Sequence, residues 1–193
     1  MATTCDLRPF RDYDEHNVIN LFAYSGSLPV KKGTIVKIVP SSEGHEGWKA
    51  TDELQLLGDV GASYTNTVSE RYGVAAKVTD AVNTDEDNAI GMLLYDVKET
   101  DENGEKLIFN PRKAAELQVA LSGQAVPVVS KGIFLYKGVA GTPTAGGNAY
   151  IGANGVLSAT AGSATARVGQ FLGAKDADSN VLVKLEIPGH SAS

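Results

Sequence analysis

Short apolar segments, each bounded by glycine, asparagine or aspartate, fill the C-terminal third of the chain. In the last of them, VLVKLEI at residues 181–187, every odd-numbered position is aliphatic, whereas the even-numbered positions include Lys184 and Glu186. Because successive side chains of a strand point to opposite faces, this pattern predicts a strand with one face in a core. Several such strands at close spacing predict a mainly-β fold, a small β-barrel or sandwich.

Residues 140–158, AGTPTAGGNAYIGANGVLS, contain five glycines, which allow two interpretations. A glycine-rich loop can turn its backbone N–H groups towards a phosphate. The stretch lacks the glycine and lysine spacing of a phosphate-binding loop and the GxGxxG pattern of a dinucleotide site. It therefore predicts turns between strands, where glycine is favoured.

The centre of the chain predicts a hairpin followed by one short helix. Residues 89–97, AIGMLLYDV, have the pattern of a strand, and the Asn-Gly pair at residues 103–104 favours a type I′ turn. Leu107–Phe109 is then the returning strand of the hairpin. The Asn-Pro pair at residues 110–111 supplies a cap and a first helical residue for a helix that ends before residue 123.

The 193 residues carry a net charge of −6 and give a pI of about 5.1. An acidic chain gains little from counterion release on DNA, so no direct binding of nucleic acid is expected. The negative charge is concentrated, since residues 80–106 hold 9 acidic and 2 basic side chains. We interpret this strip as a solvated surface, and the alternative is a patch that steers the chain onto a basic partner.

Cys5 is the only cysteine, which excludes an internal disulfide and fits synthesis in a reducing cytoplasm. No apolar run approaches the roughly 20 residues that a membrane helix needs, and the N-terminal residues lack the apolar segment of a signal peptide. The three histidines (His16, His45 and His190) have no metal-ligand spacing, and no nucleophile elbow is present. We therefore expect no metal, no cofactor, no membrane association and no enzymatic activity.

Two long stretches carry a resemblance to a known family. They are residues 89–136, AIGMLLYDVKETDENGEKLIFNPRKAAELQVALSGQAVPVVSKGIFLY, and residues 168–189, VGQFLGAKDADSNVLVKLEIPG. The chain resembles the head decoration proteins of tailed bacteriophages, also called cement or capsid-stabilising proteins. Residues 2–24 are similar to the leading segment of such proteins, and residues 61–78 to the middle segment of their longer members.

The resemblance implies a structural virion protein, made in the bacterial host cytoplasm and bound to the outer surface of the icosahedral head. Its partners would be the major capsid protein, whose neighbouring subunits it would bridge, and other copies of itself, a homotrimer rather than a homodimer. It also implies an extended N-terminal arm, residues 1–27, ahead of a β-rich domain, residues 28–193, with a possible extra lobe within residues 40–90.

The arm supplies the predicted capsid contacts. Arg8 and Arg11 would pair with capsid carboxylates. Three aromatic residues elsewhere would lie at an oligomer or capsid interface: Trp48, Tyr136 and Tyr150. The apolar anchors of the arm would be Leu7, Pro9, Phe10, Tyr13, Val18, Ile19, Leu21 and Phe22. The alternative is that the same side chains cover the chain's own barrel.

A second function, in another class, is a carbohydrate- or host-surface-binding module displayed on the phage particle. Four tyrosines are candidates for it, although strand tyrosines are more often packed: Tyr64, Tyr72, Tyr136 and Tyr150. A hydrolase with a dispersed site has no local sequence support. A major capsid subunit is disfavoured because such chains carry a long helix.

Overall fold

The computed structural model describes residues 5–38, 49–50, 74–75, 77–84, 89–121, 123–163 and 167–187. Within these residues the chain forms one α-helix, α1 (Pro111–Glu116), and short 3-10 turns at Glu15–Asn17, Leu107–Phe109 and Ala153–Gly155. The strands are β1 (Asp6–Asp12), β2 (Val18–Ile19), β3 (Ala23–Tyr24), β4 (Ile35–Ile38), β5 (Lys49–Ala50), β6 (Val74–Ala75), β7 (Lys77–Asp80), β8 (Ala89–Leu93), β9 (Asp96–Val97), β10 (Val119–Ala120), β11 (Val128–Val129), β12 (Lys131–Lys137), β13 (Asn148–Ile151), β14 (Leu157–Ser158), β15 (Gly169–Phe171) and β16 (Asn180–Glu186).

Two six-stranded sheets account for most of these strands. Sheet A has the order β1-β12-β16-β15-β13-β14, and sheet B has the order β2-β11-β8-β4-β7-β3. Two smaller pairs, β9 with β10 and β5 with β6, complete the described strands. The prediction of a mainly-β barrel or sandwich with one short helix is confirmed.

The alternating segment at the C-terminus forms the strand that its pattern predicts. β16 pairs antiparallel with β12 along its whole length and with β15 on its other side. Val183 and Leu185 are fully buried, whereas Lys184 and Glu186 are exposed. The apolar face of sheet A therefore points into a core.

Sheet B contributes side chains to two cores, one on each of its faces. Ile35, Met92 and Val129 lie in the same core as the inner residues of sheet A. Their chain neighbours Val36, Leu93 and Val128 point the other way, into a second core. Each fully buried aliphatic side chain contributes about 1.5–3 kcal/mol, so the two cores fix sheet B from both sides.

Sheet B curls until its two edges meet in one stretch of chain. Its edge strands β2 and β3 are separated by only three residues, which limits the distance from Ile19 to Ala23 to about 14 Å. The edges of a flat six-stranded sheet would lie about 24 Å apart. The Phe22 carbonyl accepts a hydrogen bond from the Val126 N–H at 2.9 Å, while Ser25 N–H donates to the Val78 carbonyl. The segment 18–25 thus forms both edges of the sheet. Its β2 residues pair with β11, and its β3 residues pair with β7.

The N-terminal segment is part of the fold rather than a separate arm in residues 5–24. β1 forms an edge of sheet A by pairing with β12, and its pairing register shifts between Leu7 and Arg11. Leu7 lies in one core and Phe22 in the other, and Ala23 is fully buried. The segment therefore supplies three sheet edges, which differs from the arm predicted over residues 1–27.

The glycine-rich run forms turns around β13 and β14, as predicted. Gly155 ends the 3-10 turn between these strands with a φ of +69°. A Cβ at Gly155 would lie 2.5 Å from the Ile35 carbonyl oxygen of sheet B. Glycine is required there both for its backbone conformation and for the close approach of the two sheets.

Two local predictions in the centre of the chain are wrong. Leu107–Phe109 is a 3-10 turn instead of a returning strand, and only Gly104 of the Asn-Gly pair has a positive φ. The reason is that the Asp101 carboxylate accepts hydrogen bonds from the Asn103 and Glu105 N–H groups, which forms a wider loop than a type I′ turn. The helix is also shorter than predicted, because Gln118 takes a φ of +53° and the chain continues as β10.

Most of the predicted extra lobe within residues 40–90 lies outside the described residues. What is described is its connection: β4 and β7 pair antiparallel as neighbours, so residues 39–76 join two adjacent strands. Lys49 and Ala50 pair with Ala75 and Val74 inside that connection. Among the described helices none has the length and apolar character to cross a membrane.

Candidate interaction surface

The most exposed large apolar side chains of the described residues lie side by side in one turn. Phe109 is 83% exposed and Ile108 is 59% exposed, whereas Leu107 in the same turn is buried. We call Ile108 and Phe109 the tip. Adjacent exposed apolar side chains form a patch, and contiguous apolar patches mark interaction sites more often than scattered apolar residues do.

The tip belongs to an excursion of the chain, residues 98–118, that leaves and re-enters the fold at adjacent places. It starts after β9 and ends before β10, and these two strands pair in parallel. A small core of Leu107, Ala114 and Val119 holds the excursion together. The tip is therefore displayed by a packed unit with both ends tied to the same pair of strands.

Local sequence explains why the tip stays outside. The Asn110 side chain accepts a hydrogen bond from the Lys113 N–H, and Pro111 follows as the first residue of α1. The residue before such a cap usually packs against the fourth helical residue, which here is Ala114. Here Leu107 packs beside Ala114 in the small core. Phe109, the residue directly before the cap, therefore remains exposed.

Ion pairs also connect the loop at the start of the excursion to helix α1. The Lys113 ammonium contacts the Asp101 carboxylate and lies 3.4 Å from a Glu105 oxygen. Only 2% of the Asp101 side chain is exposed. The hydrogen bond from Lys113 lowers the pKa of Asp101, and the same bond raises the pKa of Lys113. Asp101 thus joins the loop that it caps to helix α1.

Three of the predicted contact residues are buried inside the fold. Leu7 and Phe22 are buried in the cores, and Tyr136 is fully buried. The Tyr136 hydroxyl accepts a hydrogen bond from the Leu157 N–H at 3.2 Å, and burial raises its pKa well above the usual range. A partner cannot reach these side chains, because they are buried. They have the alternative role, which is to cover the chain's own barrel.

The other predicted contact residues divide into three groups. Val18 and Leu21 are partly buried and pack on the two cores. Tyr13 and Ile19 are each 37% exposed, and the Tyr13 ring stacks on Phe134 with centroids 5.8 Å apart. The last group lies outside what the structure describes: the side chains of Arg8, Pro9, Phe10 and Arg11, and the whole of Trp48.

Tyr150 lies half-buried on β13, where its hydroxyl accepts a hydrogen bond from the exposed Asn148 amide at 3.3 Å. Gln170 is the register partner of Asn148 on β15. Tyr64 and Tyr72 lie outside the described residues. Of the proposed sugar-contacting tyrosines, Tyr150 is therefore the one that the structure places at a surface.

The tip was not predictable as an exposed pair from the strand expected at Ile108 and Phe109. The signal was present as an apolar triplet directly before the Asn-Pro helix start. A 3-10 turn brings three residues round one turn, so three consecutive apolar side chains cannot share one face.

In the described ranges there is also no group of three or more histidine, cysteine, aspartate or glutamate side chains arranged to hold a metal ion.

Comparison of this chain with protein-family models, with curated proteins and with solved structures finds no match.

Proposed function

We propose that the chain is a structural virion protein that cements the icosahedral head of a tailed bacteriophage by binding the outer surface of its major capsid protein. The observation that carries the proposal is the tip, Ile108 and Phe109, exposed on an excursion fixed by a small core and by ion pairs. The resemblance of residues 89–136 to head decoration proteins supports the same role, since these residues include the whole excursion.

The physical requirements of a cement protein suit this arrangement. Burying a phenylalanine side chain in a partner contributes about 1.5–3 kcal/mol per site. A rigid display limits the entropy lost on binding, because few side chains must be ordered. Linking several such contacts in one oligomer multiplies a modest affinity. The resemblance implies a homotrimer, and we propose this oligomer as the bound form.

The test is co-sedimentation of the purified chain with undecorated, expanded heads of its parent phage, counting bound copies per head. We expect saturation at a number fixed by the icosahedral lattice. The double variant Ile108→Ala, Phe109→Ala should bind at least about 30-fold more weakly, since truncated hot-spot side chains cost about 2 kcal/mol or more.

The matched control is Leu172→Ala, which shortens an exposed aliphatic side chain outside the excursion. It should bind like the unaltered chain. A second comparison, Tyr13→Ala with Ile19→Ala, tests the contacts predicted for the N-terminal segment. Absence of binding to expanded heads would refute the cementing role, and equal binding of the tip variant would assign the contact to another surface.

The second candidate is a module that binds host-surface carbohydrate, and the arrangement around Tyr150 favours it. A half-exposed ring beside the Asn148 amide, with Gln170 opposite, offers a stacking face and hydrogen-bonding groups for a sugar. Saturable binding of the isolated chain to host cells, abolished in Tyr150→Ala but kept in the tip variant, would support this function instead of cementing.

A further inference from the structure

A groove of about 420 Å³ lies between the first residues of the excursion and a segment that is distant in sequence, residues 28–29. The pair Leu28 and Pro29 forms an apolar wall. Residues 98–102, Lys-Glu-Thr-Asp-Glu, form a polar wall with three carboxyl groups and one ammonium group. The groove therefore combines an apolar side with an acidic side.

The charges of the polar wall are unequally compensated. Asp101 is paired with Lys113, which lies outside the groove lining. Glu99 and Glu102 are exposed and form no ion pair with another residue of the described ranges. They belong to the strip of residues 80–106, which holds 9 acidic and 2 basic side chains. A ligand with positive charge would complement this wall.

Both walls are held by main-chain hydrogen bonds. Val30 and Val97, which adjoin the two walls, exchange N–H and carbonyl bonds of 3.0 and 2.9 Å. The Glu99 carbonyl accepts from the Leu107 N–H at 2.9 Å, and the Lys98 N–H donates to the Ala120 carbonyl at 3.3 Å. The groove is thus formed before any ligand arrives, which reduces the entropy cost of binding.

We propose that this groove binds an extended segment of a partner protein that carries arginine or lysine next to an aliphatic residue. The cationic group pairs with Glu99 and Glu102, in charge-assisted hydrogen bonds that arginine can make bidentate. The aliphatic neighbour packs on Leu28 and Pro29. Any partner protein that carries such a segment, a capsid subunit or another, would fit the groove.

The experiment is a titration of the full, isotope-labelled chain with a short capped peptide of alternating arginine and leucine, followed by amide NMR shifts. We expect shifts confined to residues 28–30 and 97–102, with an affinity that falls several-fold when salt is raised, because exposed charges are screened. The same peptide with glutamate in place of arginine should produce no such shifts.

The variant Glu99→Gln, Glu102→Gln should bind the arginine peptide several-fold more weakly. Its matched control, Glu15→Gln with Asp178→Asn, removes two exposed carboxylates elsewhere and should bind normally. Shifts spread over the whole surface, equal binding of the glutamate peptide, or no shift at millimolar arginine peptide would each overturn the proposal. None of these results depends on co-sedimentation with heads, so this proposal and the cementing role can fail separately.

Discussion

The N-terminal segment, residues 5–25, and the excursion, residues 98–118, place similar apolar side chains in opposite environments. Phe22 is buried in the second core of sheet B, whereas Phe109 is 83% exposed. Both phenylalanines follow an aliphatic residue, and sequence analysis gave a partner contact to the first and a strand position to the second. The environment of each side chain was therefore decided by its backbone partners.

The difference follows from the geometry of the two backbones. Residues 18–25 pair with strands of sheet B on both sides, and Leu21, Phe22 and Tyr24 pack in or against the second core. The excursion contains a 3-10 turn in which Leu107 alone faces the local core. Three residues per turn direct the next two side chains elsewhere, and here they point to solvent.

Replacing each phenylalanine by alanine gives the largest contrast between the two regions. Phe22→Ala should lower the free energy of unfolding by about 3–5 kcal/mol, because it leaves a cavity in a packed core. Phe109→Ala should change it by no more than about 0.5 kcal/mol, as for other exposed positions. Denaturant unfolding followed by circular dichroism measures both.

The effects of the two variants on binding should be the reverse of their effects on stability. If the chain binds heads through the tip, as we propose, Phe109→Ala should keep its stability and lose affinity for heads, whereas folded Phe22→Ala protein should keep its affinity. A large loss of stability in Phe109→Ala would show that its ring is packed, and would contradict the assignment of the tip as a surface for a partner.

Two glycines give a smaller contrast, between a turn packed against sheet B and the exposed loop of the excursion. Gly155 has a φ of +69° and lies against the Ile35 carbonyl, whereas Gly104 has a φ of +82° and a Cβ added to it would meet nothing within 4 Å. Gly104→Ala should cost about 1 kcal/mol in unfolding free energy, the backbone strain alone. Gly155→Ala should cost more than about 2 kcal/mol, because steric overlap is added to the strain.

Thermal and denaturant unfolding of both glycine variants, with the unaltered chain as reference, check this order. Equal losses of stability in the two variants would mean that the turn at Gly155 can move away from sheet B. The interior of the fold would then be less tightly specified than the close approach of Gly155 to Ile35 indicates.

The sequence was sufficient to predict the parts of the fold that depend on local patterns. The alternation in residues 181–187 predicted the burial of β16, and the Asn-Pro pair predicted the start of α1. The curling of sheet B was not predictable in this way, since it depends on pairing between distant residues, 23–24 with 77–78. The tip escaped prediction because three consecutive apolar residues fit a strand as well as a 3-10 turn.

The smallest expected effect concerns the ion pair that fixes the excursion. The pKa of Asp101 is lowered in the folded chain, so the stability that it contributes is present above its ordinary pKa of about 3.9 and is lost as the pH falls through the lowered value. The pKa of Lys113 is raised, so its contribution is lost only as the pH rises through a value above the ordinary one of about 10.4. Between these limits the excursion should be insensitive to pH.

Asp101→Asn should remove the loss of stability of the excursion at low pH. It should also increase amide exchange at Asn103 and Glu105, whose N–H groups bond to the Asp101 carboxylate. The matched control is Asp178→Asn, an exposed carboxylate in another turn, which should leave these amides protected. Hydrogen exchange measured from neutral to strongly acidic pH distinguishes the two. Unchanged exchange in Asp101→Asn would show that the small core of Leu107, Ala114 and Val119 fixes the excursion without the ion pair. The tip would then keep its position at any pH at which that core stays packed, and the head binding that we propose for it should be equally independent of acid.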